Sequence, residues 1–228
     1  MPKYYSQFKQ DKFLDKYFFK GKEKGVFVEI EAYDGVKDSN TFYFEKELDW
    51  VGICCEPMPH IFEALMSNRS KKTKNIMCSV TTKDEFRPFI KNIGYCEPFS
   101  VLKDDYDPRY KKLVENVKTQ KGGFHEEITV KCHTLEKIFT QLKVDNVDYL
   151  SVDTTGCNMN VFKSIDFDKV YIHIISFESL LKGSGEDIID FLKTKGYVFV
   201  TRLDEDIIMI HEKSKYVPKV RNFTVELD

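Results

Sequence analysis

The sequence of 228 residues has no long hydrophobic run. A helix needs about 20 apolar residues in a row to cross a bilayer, so we expect no membrane span. The first twenty residues also lack the apolar core that a secretory signal peptide requires. Together these absences predict a soluble protein of the cytoplasm.

The sequence also lacks the spacings of a cysteine-based metal site. None of its six cysteines forms a C-x-x-C pair, and its five histidines do not complete a zinc pattern. Most of the cysteines lie inside apolar runs, where cysteine behaves as a small hydrophobic side chain. This usage suits a reducing compartment and agrees with a cytoplasmic location.

Net charge is small, and the phosphate-binding turn of dinucleotide-binding proteins is missing. Lysine and arginine number 35 against 37 aspartates and glutamates, which gives a formal charge of −2. We therefore expect no general affinity for nucleic acid. The absence of a G-x-G-x-x-G sequence argues against a dinucleotide ligand.

The sequence does contain short β-branched runs that alternate with helical patterns, as in a parallel sheet with crossover helices. Strands are predicted at 26–31, 51–56, 75–80, 147–153, 170–177, 197–202 and 207–211, and helices near 39–48, 59–68, 135–142, 158–164 and 185–195. The connection between the last two strands is too short for a crossover, so they must form an antiparallel hairpin. The prediction is an α/β fold: a Rossmann-like, doubly wound, seven-stranded and mostly parallel sheet that ends in this hairpin.

The length suits one domain. We expect it at 25–212, after an N-terminal helical cap at 1–24 and before a C-terminal tail at 213–228. Residues 81–131 depart from the alternation and predict an inserted strand pair and helix, placed where a substrate lid would sit. Lysines in the cap could instead contact a membrane surface or nucleic acid, but Asp11 and Asp15 dilute that positive face.

Acidic residues follow the first two predicted strands, where open α/β sheets bind their ligands. Glu29, Glu31 and Asp34 belong to the first strand and its loop, and Glu56 ends the second strand. The number of residues between Gly35 and Glu56 is close to the spacing at which an acidic residue hydrogen-bonds ribose hydroxyls in nucleotide-binding folds. A carboxylate suits this task because it can accept two hydrogen bonds from a vicinal diol. The alternative is that such acids are simply solvated.

A family resemblance becomes visible when the short motifs are taken together and in order. They are Ser6-Gln7…Gln10-Asp11, Val28-Glu29-Ile30…Asp34-Gly35, Glu56-Pro57…Pro59, Tyr106-Asp107-Pro108-Arg109 and Ser151-Val152-Asp153-Thr154…Gly156. With them the chain resembles the FkbM family of methyltransferases over nearly its whole length. The resemblance implies a class I methyltransferase fold, S-adenosylmethionine as cofactor, and O-methylation of a sugar or a related small hydroxylated acceptor.

The resemblance also implies roles for individual residues. The positions that it assigns to the cofactor are Glu29, Glu31, Asp34, Gly35, Glu56, Ser79 and Val80. Glu29, Asp34 and Gly35 would line the methionine end of S-adenosylmethionine. Glu56 would hold its ribose, and Ser79 and Val80 would approach its adenine.

Two further acids would serve catalysis. Asp153 would face the transferred methyl group as base, electrostatic anchor or ligand of a divalent metal, and Glu178 would be a second acid beside it. Two alternatives stay open. Asp153 could cap the helix that follows it, and Glu178 could pair with a lysine.

Departures from the family pattern fall in these same motifs. Glu31, Lys9 and Val101 stand where the family has glycine, Met58 replaces an asparagine, and Thr155 and Asn158 replace two acids. If Glu31 needs a positive φ, the strain is about 1–2 kcal/mol, and repulsion from a cofactor carboxylate adds about 4 kcal/mol at an effective dielectric of 20. Glu31 could instead attract the sulfonium or turn into solvent.

Two functions therefore stay open. One is an active methyltransferase, and the other is a catalytically inactive FkbM-like binding or interaction module with a closed cofactor site. The expected partner of the enzyme is a small-molecule or carbohydrate acceptor. An exposed hydrophobic edge at the terminal hairpin would favour a homo-oligomer.

Overall fold

The computed structural model describes residues 2–105, 108–181 and 185–217. Its strands are β1 (Val26–Ile30), β2 (Val51–Cys55), β3 (Lys74–Ile76), β4 (Ser79–Val80), β5 (Phe86–Ile93), β6 (Val101–Leu102), β7 (Phe124–His133), β8 (Asn146–Val152), β9 (Tyr171–Glu178), β10 (Tyr197–Leu203) and β11 (Asp206–His211). Its α-helices are α1 (Gln10–Leu14), α2 (Phe42–Leu48), α3 (Pro59–Asn68), α4 (Pro108–Lys121), α5 (Leu135–Leu142), α6 (Asn158–Lys163) and α7 (Glu186–Lys193).

The main sheet has seven strands in the order β10-β11-β9-β8-β1-β2-β3. The five strands from β9 to β3 run parallel, whereas β11 pairs antiparallel with both β9 and β10. This arrangement confirms the predicted fold class, including the antiparallel hairpin at the edge.

The central strands are buried on both faces because helices cover both sides of the sheet. Successive side chains of β1 point to opposite faces, so Val28 belongs to one hydrophobic cluster and Phe27 to the other. The neighbouring strand β8 repeats this pattern with Leu150 and Tyr149. Because β1 and β8 run parallel, their carboxyl ends lie at the same edge of the sheet.

The predicted strand at 75–80 is in fact two strands. A tight turn, closed by a hydrogen bond of 3.0 Å from the Cys78 amide to the Ile76 carbonyl, separates β3 from β4. Only β3 stays in the main sheet, where it pairs with β2. Strand β4 leaves it and pairs with β7 in a second sheet of order β4-β7-β5-β6.

Residues 81–131 contain β5, β6, α4 and most of β7. Strands β5 and β7 form a long antiparallel pair, in which Phe89 lies opposite Ile128. A 3₁₀ helix, Gly94–Phe99, follows β5. Phe89, Val130 and Leu102 pack against Met58 and Ile61 of the β2–α3 segment, so this second sheet lies against the loops at the carboxyl end of the main sheet.

The N-terminal segment packs against the main sheet. Helix α1 continues directly into a π-helical turn, Asp15–Phe19. The buried side chains of Phe13, Leu14 and Phe19 join the cluster that contains Phe27, while Lys16 and Lys20 are exposed. Among the described residues, no helix is long and apolar enough to cross a membrane.

A buried arginine joins three elements behind the first loop. The Arg69 side chain follows α3, is fully buried, and forms ion pairs with Glu29 of β1 and Glu45 of α2. Its guanidinium also donates to the hydroxyls of Ser39 at 2.8 Å and Thr41 at 3.0 Å. One cation therefore serves two buried carboxylates, and the hydroxyls complete the network.

We predict that Arg69→Met lowers the free energy of unfolding by about 3–5 kcal/mol, because two buried carboxylates lose their cation. Urea unfolding followed by circular dichroism measures the loss. Lys72→Met is the control, since it removes an ion pair whose partners, Lys72 and Asp49, are 61% and 54% exposed. Such surface pairs contribute little, so similar losses in both variants would contradict the prediction.

Candidate functional site

A cavity of about 340 Å³ lies at the carboxyl ends of β1, β2, β8 and β9. The loops after these strands form its floor, and the segment around Tyr95 and Phe99 of the inserted region forms its roof. Ligands of doubly wound sheets bind at this edge, where the strand order reverses. The cavity is therefore the candidate site.

The cavity lining is strongly acidic. Of the described residues, Lys37 is the only basic one that lines it. Seven acids line it as well: Glu29, Glu31, Asp38, Glu56, Asp153, Glu178 and Glu205. Such a lining suits a cationic ligand.

The buried carboxylate of Glu56 is held by the backbone on both sides of the cavity floor. Its two oxygens accept hydrogen bonds from the Tyr33 amide at 3.1 Å and the Met58 amide at 2.8 Å. Burial raises the pKa of Glu56 to about 8, although these two hydrogen bonds act in the opposite direction. Each carboxylate oxygen keeps a free lone pair, so Glu56 can still accept from a ligand.

Glu31 adopts the left-handed backbone conformation, with φ of 59°, so the condition under which a side chain at this position is strained is met. Its side chain is partly buried and lines the cavity. Burial, with added repulsion from Glu56 and Asp153, raises its pKa well above the ordinary value. A proton on Glu31 would remove its repulsion of a cofactor carboxylate.

Asp153 and Glu178 both line the cavity, from neighbouring strand ends. Desolvation of the carboxyl group in the cavity, followed by the charges of Glu29 and Glu205, raises the pKa of Asp153 to about 6, although the residue as a whole is exposed. Burial, followed by repulsion from Asp153, raises the pKa of Glu178 well above its usual range. Both acids therefore line the same cavity, and their catalytic roles stay a prediction.

The two alternatives for these acids can be compared with the structure. The N-cap of α6 is Cys157, and no side chain caps that helix, so Asp153 does not have the capping role. Within the described ranges, Glu178 forms no ion pair with a lysine.

Four of the residues assigned to the cofactor do not line the cavity. The carboxylate of Asp34 accepts from the amides of Val36 at 2.9 Å and Lys37 at 2.7 Å, and so fixes the turn. The α-carbon of Gly35 lies against Leu65, where a Cβ would come within 2.7 Å of that side chain. The other two are Ser79 and Val80, which are buried in β4 beside β7. These four residues shape the loops around the cavity.

The structure adds three charged residues that the sequence reasoning missed: Lys37, Asp38 and Glu205. Lys37 and Asp38 follow the Asp34 turn, and Glu205 lies in the tight β10–β11 connection. The position of Glu205 could have been inferred, because the predicted hairpin brings this turn to the same sheet edge as Glu178.

A model of the FkbM methyltransferase domain matches residues 29–199, about three quarters of the chain. The chain belongs to the FkbM methyltransferase family. No curated protein matches its sequence.

Three solved methyltransferases are similar to this chain at low sequence identity. The METTL16 methyltransferase domain is 8% identical, with a TM-score of 0.50 over 89% of this chain and 66% of its own. The FkbM methyltransferase of Methylobacillus flagellatus KT is 10% identical, with a TM-score of 0.47 over 83% of this chain and 44% of its own. The fibrillarin of Aeropyrum pernix, solved with natively bound S-adenosylmethionine, is 11% identical, with a TM-score of 0.40 over 83% of this chain and 66% of its own.

The departures from the FkbM pattern have different structural consequences. Lys9, like Glu31, has a left-handed backbone, with φ of 63°, whereas Val101 lies buried in β6. Asn158 ties the loop after β8 together, because it accepts from the Thr154 amide at 3.1 Å and donates to the Glu178 carbonyl at 2.6 Å. A glutamate could not donate this last hydrogen bond when ionised.

The remaining departures lie beside the cavity. Thr155 lines it and donates to the Pro98 carbonyl at 3.3 Å. Met58 lines it too and is buried. The Tyr106-Asp107 half of the fourth motif lies outside the described residues.

The structure gives no support for a metal role of Asp153. Across the described parts of the chain, no three histidine, cysteine, aspartate or glutamate side chains are grouped as metal ligands would be.

We predict that Glu31→Gln raises Tm at pH 8 by about 2–4 °C, the shift that about 1 kcal/mol produces in a domain of this size. The raised pKa of Glu31 means that the folded protein keeps a proton that the unfolded chain releases. Stability is therefore lost as pH rises from the unfolded pKa, about 4.3, through the folded pKa. Glutamine cannot ionise and avoids this loss.

Thermal melts at pH 5 and pH 8 measure the effect, which should be smaller at pH 5. The control is Glu23→Gln, which changes an exposed glutamate outside the cavity and should shift Tm equally at both pH values. A gain in Glu31→Gln that does not depend on pH would count against the prediction.

Proposed function

We propose that this FkbM family member is an S-adenosylmethionine-dependent O-methyltransferase that acts on a sugar or a related small hydroxylated acceptor. The observation that carries the proposal is the acidic cavity at the carboxyl ends of the central strands, with Asp153 and Glu178 on its wall. When bound, S-adenosylmethionine supplies a methyl group that leaves its sulfur as the acceptor oxygen attacks, and the sulfur keeps the bonding electron pair.

The residues of the cavity fit this cofactor. Its sulfonium and ammonium groups are cations, and the lining is acidic. Glu56 is the residue that would hold the ribose, because its carboxylate is fixed by two backbone amides and keeps free acceptor capacity. The volume of about 340 Å³ lies within the range of small-molecule sites, about 300–1,000 Å³.

Asp153 is suited to act as the base. Its pKa of about 6 leaves it mostly ionised at neutral pH but still basic enough to accept the hydroxyl proton, as general base catalysis requires. The walls of the cavity would orient the acceptor oxygen, and orientation supplies much of the rate of such a displacement.

The second candidate is an inactive binding module with a closed cofactor site. The observation that favours it is Glu31, whose side chain occupies cavity wall where the family has glycine. Under this reading, the side chain excludes the cofactor from the space beside β1.

Calorimetry with S-adenosylmethionine separates the two candidates. We expect micromolar binding by the wild type, and a loss of about tenfold or more in Glu56→Ala, because two hydrogen bonds to the ribose hydroxyls are removed. Lys9→Gly is the matched control: it relieves a left-handed backbone outside the cavity and should leave affinity unchanged. Unchanged binding in Glu56→Ala would refute the ribose assignment.

Glu31→Gly tests the closed site in the same experiment. The active enzyme predicts an affinity within about tenfold of the wild type, since a tenfold change is only about 1.4 kcal/mol. If the wild type shows no S-adenosylmethionine binding and Glu31→Gly does bind, the cofactor site is closed in the wild type and the methyltransferase proposal is refuted.

Lys37 is the residue that we assign to the cofactor carboxylate. Its backbone amide is fixed by Asp34, and its ammonium group lies 5.8 Å from the centre of the Tyr33 ring. Within the described chain, it is the one cation that lines the cavity, so an anionic ligand group has this side chain as its charged partner.

We predict that Lys37→Gln weakens S-adenosylmethionine binding by about tenfold, the effect of one charge-assisted hydrogen bond. Decarboxylated S-adenosylmethionine should bind both proteins equally, and Lys37→Arg should retain most of the affinity. Calorimetry with the two ligands measures the difference. An equal loss for both ligands would show that Lys37 does not recognise the carboxylate.

A further inference from the structure

The acids of the cavity differ in how well they are compensated. Glu29 is paired with buried Arg69, and Glu56 accepts two backbone hydrogen bonds. The other five acids form no side-chain hydrogen bond or ion pair within the described residues: Glu31, Asp38, Asp153, Glu178 and Glu205. Of the cavity-lining residues that the structure describes, Lys37 is the only cation, so this lining has an excess of acidic groups.

These uncompensated acids are concentrated on one side of the cavity. Asp153 follows β8, Glu178 ends β9, and Glu205 lies in the β10–β11 turn. The three elements are neighbours in the sheet, and the Ser179 amide donates to the Glu205 carbonyl at 2.6 Å, which holds the turn beside the end of β9. Glu56 lies on the opposite side, after β2.

The cofactor alone does not balance this charge. S-adenosylmethionine has two cationic groups and one carboxylate, and therefore a single net positive charge. Its ribose is assigned to Glu56 on the β2 side, so the carboxylates after β9 and in the hairpin turn have no cation among the residues that the structure describes. Buried carboxylates are costly unless they are paired or hydrogen-bonded.

Glu178 gives independent evidence for a ligand on the side of the cavity after β8 and β9. Its side chain is partly buried and lines the cavity, and its carboxylate accepts no hydrogen bond from the described residues. The cavity lining also includes the aromatic ring of Phe99, and aromatic faces attract cations. The acids and this ring therefore both favour a positively charged group in the cavity.

We propose that the acceptor carries a protonated amine near the hydroxyl group that is methylated, as in an amino sugar or an amino alcohol. Glu178 and Glu205 would hold the ammonium group, which leaves Asp153 to accept the hydroxyl proton. The inference rests on the proposed function, because it names the acceptor class of that same site.

Matched pairs of small molecules test the inference directly. The pairs are glucosamine with glucose and 4-aminobutan-1-ol with 1,4-butanediol, titrated by calorimetry at pH 7 with EDTA and saturating S-adenosylhomocysteine. We expect the aminated member of at least one pair to bind about tenfold more tightly or better, the effect of a charge-assisted hydrogen bond. Equal binding, or no binding, in both pairs would overturn the inference.

Two variants locate the amine. Glu178→Gln and Glu205→Gln should each reduce the preference for the aminated member at least fivefold, whereas Glu23→Gln should leave it unchanged. These changes remove charge from a repulsive cluster, so they should not prevent folding. A preference that survives both variants would refute the assigned position.

Two parallel measurements separate the possible failures. S-adenosylmethionine binding without any amine preference would overturn only the acceptor class, whereas amine preference without S-adenosylmethionine binding would overturn the methyltransferase proposal and retain the amine site. A titration with Mg²⁺ in the absence of EDTA tests whether these acids bind a metal ion instead of an ammonium group. Stabilisation by Mg²⁺ that is lost in Glu178→Gln, with no amine binding, would identify a metal site and refute the inference.

Discussion

The pairing of Arg69 with Glu29 and Glu45 is the constraint on which the site depends. It joins the end of β1, the start of α2 and the end of α3 in a buried network, with the guanidinium 5.4 Å from the Phe27 ring centre. The loop from Glu31 to Asp38 is therefore held at both ends. This loop contributes a large part of the cavity wall, so the network sets the shape of the site, although Arg69 itself does not line the cavity.

The sequence predicted the sheet and the place of the site because both depend on local patterns. Burial on two faces gives continuous apolar runs, and the acids that follow the central strands must meet at one edge of the sheet. Glu31, Glu56, Asp153 and Glu178 therefore reach the cavity as expected. Asp34 and Ser79 do not, because a turn uses the carboxylate of Asp34 and a sharp bend moves Ser79 into the second sheet. Hydrophobic periodicity contains no signal for either effect.

Backbone strain by itself does not mark the altered site. Lys9 and Glu31 both replace a family glycine and both have a positive φ, but Lys9 is exposed and does not line the cavity. Each such residue costs about 1–2 kcal/mol, which a domain can offset elsewhere. What distinguishes Glu31 is its carboxyl group among other acids, where the raised pKa favours a neutral form. A neutral carboxyl can donate a hydrogen bond, so the replacement does not by itself exclude a cofactor.

The acidic cavity lowers the stability of the ligand-free protein at neutral pH, because carboxylates that repel one another must share a partly buried space. Substitutions to neutral residues would relieve this repulsion, and such stabilising changes are easily found at most positions of a protein. At Thr155 and Asn158 the chain already has neutral residues where the family has acids. Glu178 and Asp153 nevertheless keep their acidic side chains, and within the described residues neither carboxyl group has a hydrogen-bond or ion-pair partner. A cationic ligand offsets their repulsion only when it is bound, and an unfavourable arrangement of this kind is characteristic of binding sites.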